Sequence, residues 1–293
     1  MEKSNYVVGL GEILWDCNEG KLTLGGAPAN FAYHVNQFGL NAMIVSAIGK
    51  DGLGADIEKK LKRAKLQYLL PHVPYKTGKV CVRIAGNGIP AYKILENVAW
   101  DNIPSSSEME DLARHTQAVC FGSLAQRNEM SRSTIYAFLD AMPAGALRVF
   151  DINLRQQWYT REIIETSLRK ANILKINDDE LLIVQRLFGY RDMTQEETCR
   201  RMMKDYQLQI LILTCGEKGS YVFAGQEMSF LSTPKIKVVD TVGAGDSFTA
   251  SFIASILLGK TFREAHRIAV DVSAFICTKA GAMHTIPVEK KDY

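Results

Sequence analysis

The chain has 293 residues, of which 47% are hydrophobic and 23% are charged, and its formal net charge at pH 7 is +3. The length allows one large domain with a substantial core, and the small, dispersed charge argues against a nucleic-acid partner. The longest apolar stretch, FTASFIASILLG, is too short to span a bilayer, the opening residues lack a signal-peptide pattern, and the six cysteines are widely spaced. We therefore expect a cytoplasmic protein with no membrane partner.

Strand-like and helical patterns alternate along most of the chain. Apolar or alternating runs predict strands at residues 6–11, 42–49, 118–124, 147–153, 173–177, 210–216 and 220–225. Apolar residues at helical spacing predict helices at 28–39, 55–65, 133–142, 161–171, 179–188 and 248–257. This alternation predicts an α/β fold, a three-layer α/β/α sandwich with a mostly parallel central sheet.

One segment interrupts the alternation. Residues 79–85 and 91–95 are predicted as strands by their period of two, and Asn87-Gly88 between them is typical of a hairpin turn. No helix separates the two strands, so they form an antiparallel insertion. This small sheet is either a lid over a binding site or a hairpin without a functional role.

The phosphate-binding loops with the clearest signatures do not occur in the sequence. There is no G-x-x-x-x-G-K-[ST] run, which excludes the P-loop NTPases. Gly9 and Gly11 begin like a dinucleotide-binding fingerprint, but Leu14 stands where Gly or Ala is needed for helix packing. We therefore do not expect a nicotinamide cofactor.

Two other glycine-rich segments each precede a helical pattern. In GGAPANFA, residues 25–32, the Gly pair permits close backbone approach and Asn30 falls in the first helical turn. In VVDTVGAGD, three small residues at 243–245 lead into Asp246 at a predicted helix start, where backbone amides attract anions. Asp246 is either an ordinary helix N-cap or part of a ligand site, and the density of small residues favours the ligand site.

Taken in order, these segments resemble the ribokinase-like (PfkB) carbohydrate kinases over essentially the whole chain. Residues 25–49 match the N-terminal pattern of that family, and residues 240–251 match the C-terminal pattern, departing only at Ser251, where Gly or Ala is usual. Between them lie N-x-x-E at residues 177–180 and T-x-G-x-x-G at residues 214–219. The resemblance implies a single kinase domain over residues 1–293, with a lid formed by about residues 12–25 and 76–103.

The resemblance also implies the chemistry of the site. In the family, the Asp matched by Asp246 removes a proton from the acceptor hydroxyl. The backbone amides of the preceding loop stabilise the charge on the transferred phosphoryl group, and here that loop is Gly243, Ala244 and Gly245. ATP and Mg²⁺ are the expected cofactors.

Further positions follow from the same resemblance. The nucleotide cradle corresponds to Thr214, Gly216 and Gly219. Asn177 and Glu180 correspond to the residues that place Mg²⁺ on the phosphates, through water or the phosphates themselves. Asp240 matches the monovalent cation site of some members, which implies K⁺ as a further ion. Apart from the resemblance, a small sheet needs a surface on which to bury its apolar face, so we also expect a homodimer through the lids of two subunits.

The acceptor sugar is predicted from the remaining motifs. Asp16, Gly26 and Asn30 match positions that bind sugar hydroxyls in the family. Arg155 either lies near the sugar and the transferred phosphate or forms a surface ion pair.

Bacterial fructokinases are the subfamily that the chain resembles most, on the segments around Trp100, Phe121 and Arg155, although Ile152 stands where Pro is more usual. We therefore expect fructose as the acceptor. The alternatives are 2-keto-3-deoxygluconate or another ketose, or a catalytically silent sugar-binding sensor on the same fold.

Overall fold

The computed structural model of the chain describes residues 5–18, 20–84 and 90–291. The predicted Asn87-Gly88 turn lies outside these ranges. Within them, no helix combines the length and the apolar character needed to cross a membrane.

The regular structure of the described residues alternates between strands and helices. The strands are β1 (Tyr6–Leu10), β2 (Leu14–Asn18), β3 (Lys21–Gly25), β4 (Ala42–Val45), β5 (Ile48–Gly49), β6 (Gln67–Leu69), β7 (His72–Val73), β8 (Gly78–Ile84), β9 (Pro90–Ile94), β10 (Thr116–Phe121), β11 (Leu147–Asp151), β12 (Ile173–Asn177), β13 (Ile210–Thr214), β14 (Ser220–Ala224) and β15 (Glu227–Leu231). The helices are α1 (Ala27–Asn36), α2 (Gly52–Arg63), α3 (Ser107–Arg114), α4 (Glu129–Ala141), α5 (Arg161–Lys170), α6 (Asp178–Phe188), α7 (Gln195–Tyr206), α8 (Ala244–Leu257) and α9 (Phe262–Cys277).

The main sheet has the strand order β15-β14-β13-β12-β11-β10-β1-β4-β6. The strands from β13 to β6 pair in parallel, and only β14 and β15 at one edge pair antiparallel. Parallel neighbours require crossover connections, which the intervening helices supply. The predicted mostly parallel central sheet is confirmed.

Helices cover both faces of this sheet. Successive strand residues point to opposite sides, so Val149 belongs to the core that includes residues of α1, α2, α8 and α9, whereas its neighbour Phe150 belongs to the core that includes residues of α3 to α7. Both residues are fully buried. Strands buried on both faces are nearly continuous apolar runs, which is why their sequences show no alternation. The three-layer α/β/α architecture follows.

A second sheet of four strands has the order β3-β2-β8-β9. Strands β8 and β9 pair antiparallel, from Val80 opposite Ile94 to Ile84 opposite Pro90, as the hairpin prediction required. Strands β2 and β3 form another antiparallel hairpin, and β2 joins it to β8 in parallel. The predicted strand at 42–49 is divided into β4 and β5, and β5 pairs with β7 in a small separate sheet.

Candidate active site

The predicted site residues lie beyond the carboxyl ends of the parallel strands. The chain after β1, β11, β12 and β13 emerges at one edge of the main sheet, because these strands run in the same direction. The first turns of α1 and α8 meet at this edge, since Asn30 of α1 touches Asp246 of α8. Ligands of open parallel sheets bind at this edge.

Asp246 lies in the first turn of α8 and does not cap the helix. The N-cap is Gly243, and it makes no side-chain capping bond. The Asp246 carboxylate instead accepts a hydrogen bond of 2.7 Å from the side-chain amide of Asn30, 216 residues away in the chain. Asn30 is 3% exposed, and its own amide oxygen has no hydrogen-bond partner among the described residues. The two predicted residues are therefore in contact, and the buried amide oxygen of Asn30 remains able to accept a hydrogen bond.

The glycine loop before Asp246 is shaped by close neighbours. Gly243 has φ 77°, which favours glycine, and a Cβ there would overlap Ala282. Gly245 has no positive φ, but a Cβ there would lie 2.9 Å from Nζ of Lys175. The loop thus approaches a buried ammonium group from one side and leaves the first amides of α8 without intrahelical partners.

That ammonium group belongs to a buried polar cluster beneath the loop. Lys175 Nζ lies 3.1 Å from Oδ1 of Asp151, and Thr249 of α8 donates to Oδ2 of the same carboxylate at 3.1 Å. Burial opposes the charge of Lys175, but the carboxylates of Asp151, Glu180 and Asp246 outweigh it and raise the lysine's pKa. The cluster joins β11, β12 and α8 and fixes a positive charge under the loop.

Besides Glu180, whose pKa burial also raises, three carboxyl groups around the site have raised pKa values. Burial raises the pKa of Asp246 to about 6, and the negative charge of Asp151 adds to the effect. Burial likewise raises the pKa of Asp16 to about 6 and that of Glu12 to about 7. The positive charge of Arg155 opposes the rise at all three of these groups. Perturbed carboxyls that share one cation are typical of functional sites.

The predicted sugar-side residues converge on this region. Gly26 is the N-cap of α1 with φ 109°, and a Cβ there would overlap the Glu12 carbonyl. Asp16 lies on β2, and its carboxylate lies close to Gly25 of β3. A Cβ on Gly25 would overlap that carboxylate. Arg155 is exposed in the loop after β11, and its guanidinium donates to the carbonyl of Leu154.

The N-x-x-E pair forms a capping box at the start of α6. The Asn177 side chain accepts from the Glu180 amide at 2.8 Å, and Glu180 Oε2 accepts from the Asn177 amide at 3.0 Å. Glu180 Oε1 accepts from the amide of Leu154 at 2.9 Å. Each of these oxygens keeps a second lone pair, so the pair can still accept from water molecules bound to a metal ion.

Mg²⁺ commonly binds through one or two carboxylates, water and substrate phosphates. In the described ranges, no group of three or more His, Cys, Asp or Glu residues is placed to hold a metal ion by itself. A sparse donor set of this kind fits an ion that arrives with a nucleotide.

The predicted nucleotide cradle follows β13, whose last residue, Thr214, lies in register beside Asn177 of β12. Gly216 and Gly219 have positive φ values of 54° and 130° in the turn to β14. A Cβ on Gly216 would meet nothing within 4 Å. The turn is therefore open at Gly216, whereas a Cβ on Gly219 would overlap the carbonyl of Leu231.

Asp240 ties two loops together. Its carboxylate accepts from the amide of Gly281 at 2.8 Å and from that of Val242 at 3.0 Å. Its negative charge contributes to the raised pKa of Asp16. Asp240 therefore links the segment before the glycine loop to the chain around Gly281.

Sequence reasoning did not identify several polar residues of the site, namely Glu12, Asp151, Lys175 and Thr249. Glu12 is 2% exposed and its Oε2 has no hydrogen-bond partner in the part of the chain that the structure describes, while Asp151 and Lys175 are also buried. Charged residues are almost never buried unless they are paired, so a Lys inside the apolar run ILKIN was the available signal.

Comparisons with known proteins agree with this arrangement. The family model described as pfkB family carbohydrate kinase matches residues 3–289. The ATP-dependent 6-phosphofructokinase of Thermoanaerobacterium thermosaccharolyticum is 30% identical over 280 residues, which cover 93% of this chain and 84% of that protein. The fructokinase of Salmonella typhimurium is 25% identical over an alignment of 294 positions, which covers 93% of this chain and 92% of that protein.

Solved structures show the same fold. A fructokinase from Vibrio cholerae O395 with fructose, ADP and calcium ion bound superposes with a TM-score of 0.81 at 22% identity, covering 98% of this chain and 97% of that one. A fructokinase from Xylella fastidiosa with bound ATP superposes with a TM-score of 0.84 at 16% identity, covering 99% and 97%. The ribokinase-like sandwich predicted from the motifs is thereby confirmed.

Proposed function

Because the chain belongs to the pfkB family of carbohydrate kinases, we propose that it transfers the γ-phosphoryl group of ATP to a primary hydroxyl of fructose, giving fructose 6-phosphate. Its activity as a sugar kinase follows from the family, and the choice of fructose as the acceptor is our more specific proposal. The observation that carries the proposal is the contact between Asp246 and Asn30 at the mouth of the glycine loop.

Asp246 is the general base in this proposal. Its pKa of about 6 leaves the carboxylate mostly ionised at neutral pH, yet makes it more basic than an ordinary aspartate. The hydrogen bond from Asn30 fixes the orientation of the carboxylate. Asp246 accepts the hydroxyl proton as the sugar oxygen attacks phosphorus.

The glycine loop stabilises the charge on the transferred group. The amides of Gly243, Ala244 and Gly245 lie at the start of α8, where the helix dipole favours an anion, and that of Ala244 also donates to the Thr241 carbonyl at 3.2 Å. Lys175 adds a fixed positive charge beneath Gly245. Phosphoryl transfer requires mainly alignment and charge stabilisation, which backbone amides of this kind supply.

The nucleotide is assigned to the open turn formed by Thr214, Gly216 and Gly219. Asn177 and Glu180, beside that turn, hold Mg²⁺ through water in this proposal, and the ion neutralises phosphate charge when bound. Asp240 is assigned to a monovalent cation such as K⁺, near the Gly281 segment.

Fructose is preferred to fructose 6-phosphate, although one relative is named a 6-phosphofructokinase. A phosphorylated acceptor brings a second dianion, which requires its own cations. The positive charge of Arg155 already lowers the pKa values of Glu12, Asp16 and Asp246. The site around the acceptor is therefore better matched to a neutral sugar held by Asp16, Gly26 and Asn30.

The experiment is a comparison of kcat/KM with saturating MgATP for fructose, fructose 6-phosphate, 2-keto-3-deoxygluconate, ribose and adenosine. We expect fructose to exceed the others by at least about tenfold, or about 1.4 kcal/mol of transition-state binding. A tenfold preference for another acceptor would contradict the fructose assignment and leave the kinase assignment intact. Sugar binding without ADP release for every acceptor would favour the sensor alternative.

A further inference from the structure

A cluster of three side chains, Trp100, Arg127 and Trp158, lies outside the glycine loop. It connects the second sheet to the loop that carries Arg155. Arg127 follows the short helix Leu124–Gln126, and its side chain is only 4% exposed. The guanidinium carbon lies 4.1 Å from the ring centre of Trp100 and 4.9 Å from that of Trp158. Arg127 is thus packed between two indole rings, an arrangement that a planar guanidinium favours.

The Trp100 side of this cluster is fixed to the base of the second sheet. Arg127 pairs with both oxygens of Asp101, at 2.7 and 2.8 Å, and also donates to the carbonyl of Leu95 just after β9. Trp100 is fully buried, and a Cβ on Gly78 at the start of β8 would overlap its indole nitrogen. Both ends of the β8–β9 hairpin therefore contact the cluster.

The Trp158 side belongs to the loop that carries Arg155. The Trp158 amide donates to the Arg155 carbonyl at 3.0 Å, which closes a turn. Within this loop, Asn153 and Gln156 have φ values of 44° and 50°. Left-handed backbone at non-glycine residues is strained and persists only where its surroundings hold it. The stacking of Trp158 on Arg127 is such a restraint.

We propose that Arg127 is a positioning residue for the acceptor site, which holds the Arg155 loop in place by stacking between Trp158 and the buried base of the second sheet. The inference rests on the proposed function, because Arg155 is assigned there to the sugar and the transferred phosphate. Arg127 touches neither reactant. Its effect reaches the sugar through the position of Arg155, whose charge lowers the pKa values of Asp16 and Asp246.

The variant Trp158→Ala separates this role from a role in folding. It removes the loop's side of the stack and leaves the buried pair of Arg127 with Asp101 intact. Trp158→Phe keeps an aromatic face and is the rescue variant. Arg127→Lys, which keeps the charge but loses the planar stack, is the second test. Arg169→Lys is its matched control, because Arg169 also lies over an aromatic ring and pairs with a carboxylate on an exposed surface.

In steady-state kinetics, Trp158→Ala and Arg127→Lys are each expected to raise the KM for fructose about tenfold, while the KM for ATP stays within about twofold. Trp158→Phe should have nearly the wild-type KM for fructose, and Arg169→Lys should leave that KM unchanged. In the background of Arg155→Ala, the change Trp158→Ala adds less than about twofold, because its effect passes through Arg155. A fully additive second tenfold loss, an equal rise in both KM values, or an unchanged KM for fructose would overturn the inference.

Hydrogen exchange gives a readout that needs no substrate. We expect the amides of residues 154–158 to exchange about tenfold faster in Trp158→Ala, with unchanged exchange in α4. Unchanged exchange in the loop would overturn the inference even if the wild-type enzyme phosphorylates fructose. If the wild-type enzyme phosphorylates no sugar, the proposed function fails, and the exchange measurement still decides whether Arg127 holds the loop.

Discussion

At the scale of single residues, the site depends on a few contacts between distant parts of the chain. Asn30 and Asp246 were predicted to share a site because two motifs resemble one family, and the 2.7 Å contact shows that they touch. The unused oxygens of Glu12 and Asn30 beside them are not predictable from sequence, because burial and unmet hydrogen bonds arise only from tertiary packing.

The contact between Asn30 and Asp246 gives a prediction about pH. A general base acts only when ionised, so kcat/KM should fall as the pH drops through the pKa of Asp246, which lies near 6. The hydrogen bond from Asn30 favours the ionised form and therefore lowers this pKa. Asn30→Ala removes that bond, raises the pKa and should move the acid limb of the pH profile to higher pH.

The measurement is kcat/KM for fructose between pH 5 and pH 9, with Asn36→Ala on the same helix as the control. Glu12 and Asp16 also titrate near this range, and Lys175, Asp151 and Arg155 contribute fixed charge. An acid limb that stays in place or moves to lower pH in Asn30→Ala would argue against Asp246 as the titrating base.

At the scale of elements, the long periodic segments were predictable and several polar or short ones were not. The patterns at 179–188 and 248–257 correspond to α6 and α8. Helices α7 and α9 were not predicted, although each begins with a Thr-x-x-Glu capping box, at Thr194 and Thr261. Residues 12–25 were expected in the lid, but their division into the β2–β3 hairpin was not predicted, because both strands are short and Asp16 interrupts the apolar pattern of β2.

The start of α8 allows two glycines of one loop to be compared. Gly245 has an ordinary φ, so Gly245→Ala should cost little stability, but its methyl group must displace Lys175 Nζ or the loop. We expect kcat to fall by about tenfold or more, with a melting temperature within a few degrees of wild type.

Gly243→Ala is the matched comparison. Gly243 has φ 77°, and a Cβ there would overlap Ala282, so this variant should lose stability as well as activity. Calorimetric melting and steady-state turnover of both variants make the test. Equal melting temperatures for the two variants, or normal turnover in Gly245→Ala, would contradict this account of the loop.

At the scale of the whole molecule, the alternation of strands and helices was sufficient to predict the three layers, because parallel pairing leaves few arrangements. The second sheet was predicted only in part. Its edge strands are β3 and β9, and they offer unpaired backbone groups to another chain. The described apolar side chains of this sheet, such as Trp15 and Leu24, are already buried within one chain.

A homodimer through the second sheet remains our prediction, because β3 and β9 are its edge strands and an edge strand can pair with a strand of another chain. Sedimentation velocity at micromolar concentration should show a species of twice the mass of the chain. The sedimentation coefficient should fall on dilution if the association is reversible. A monomer throughout the micromolar range would remove the dimer and leave the proposed catalytic site unaffected.

The substitution Asp246→Asn tests the central claim most directly. Asparagine keeps the shape of the side chain and can still accept from Asn30, and the helix loses no cap because the N-cap is Gly243. Calorimetry should show fructose binding within a few-fold of wild type, while kcat falls by about 10²- to 10⁴-fold. Glu108→Gln, in the first turn of α3, is the control and should turn over normally. If Asp246→Asn binds fructose normally and turns over within a few-fold of wild type, Asp246 is not the catalytic base.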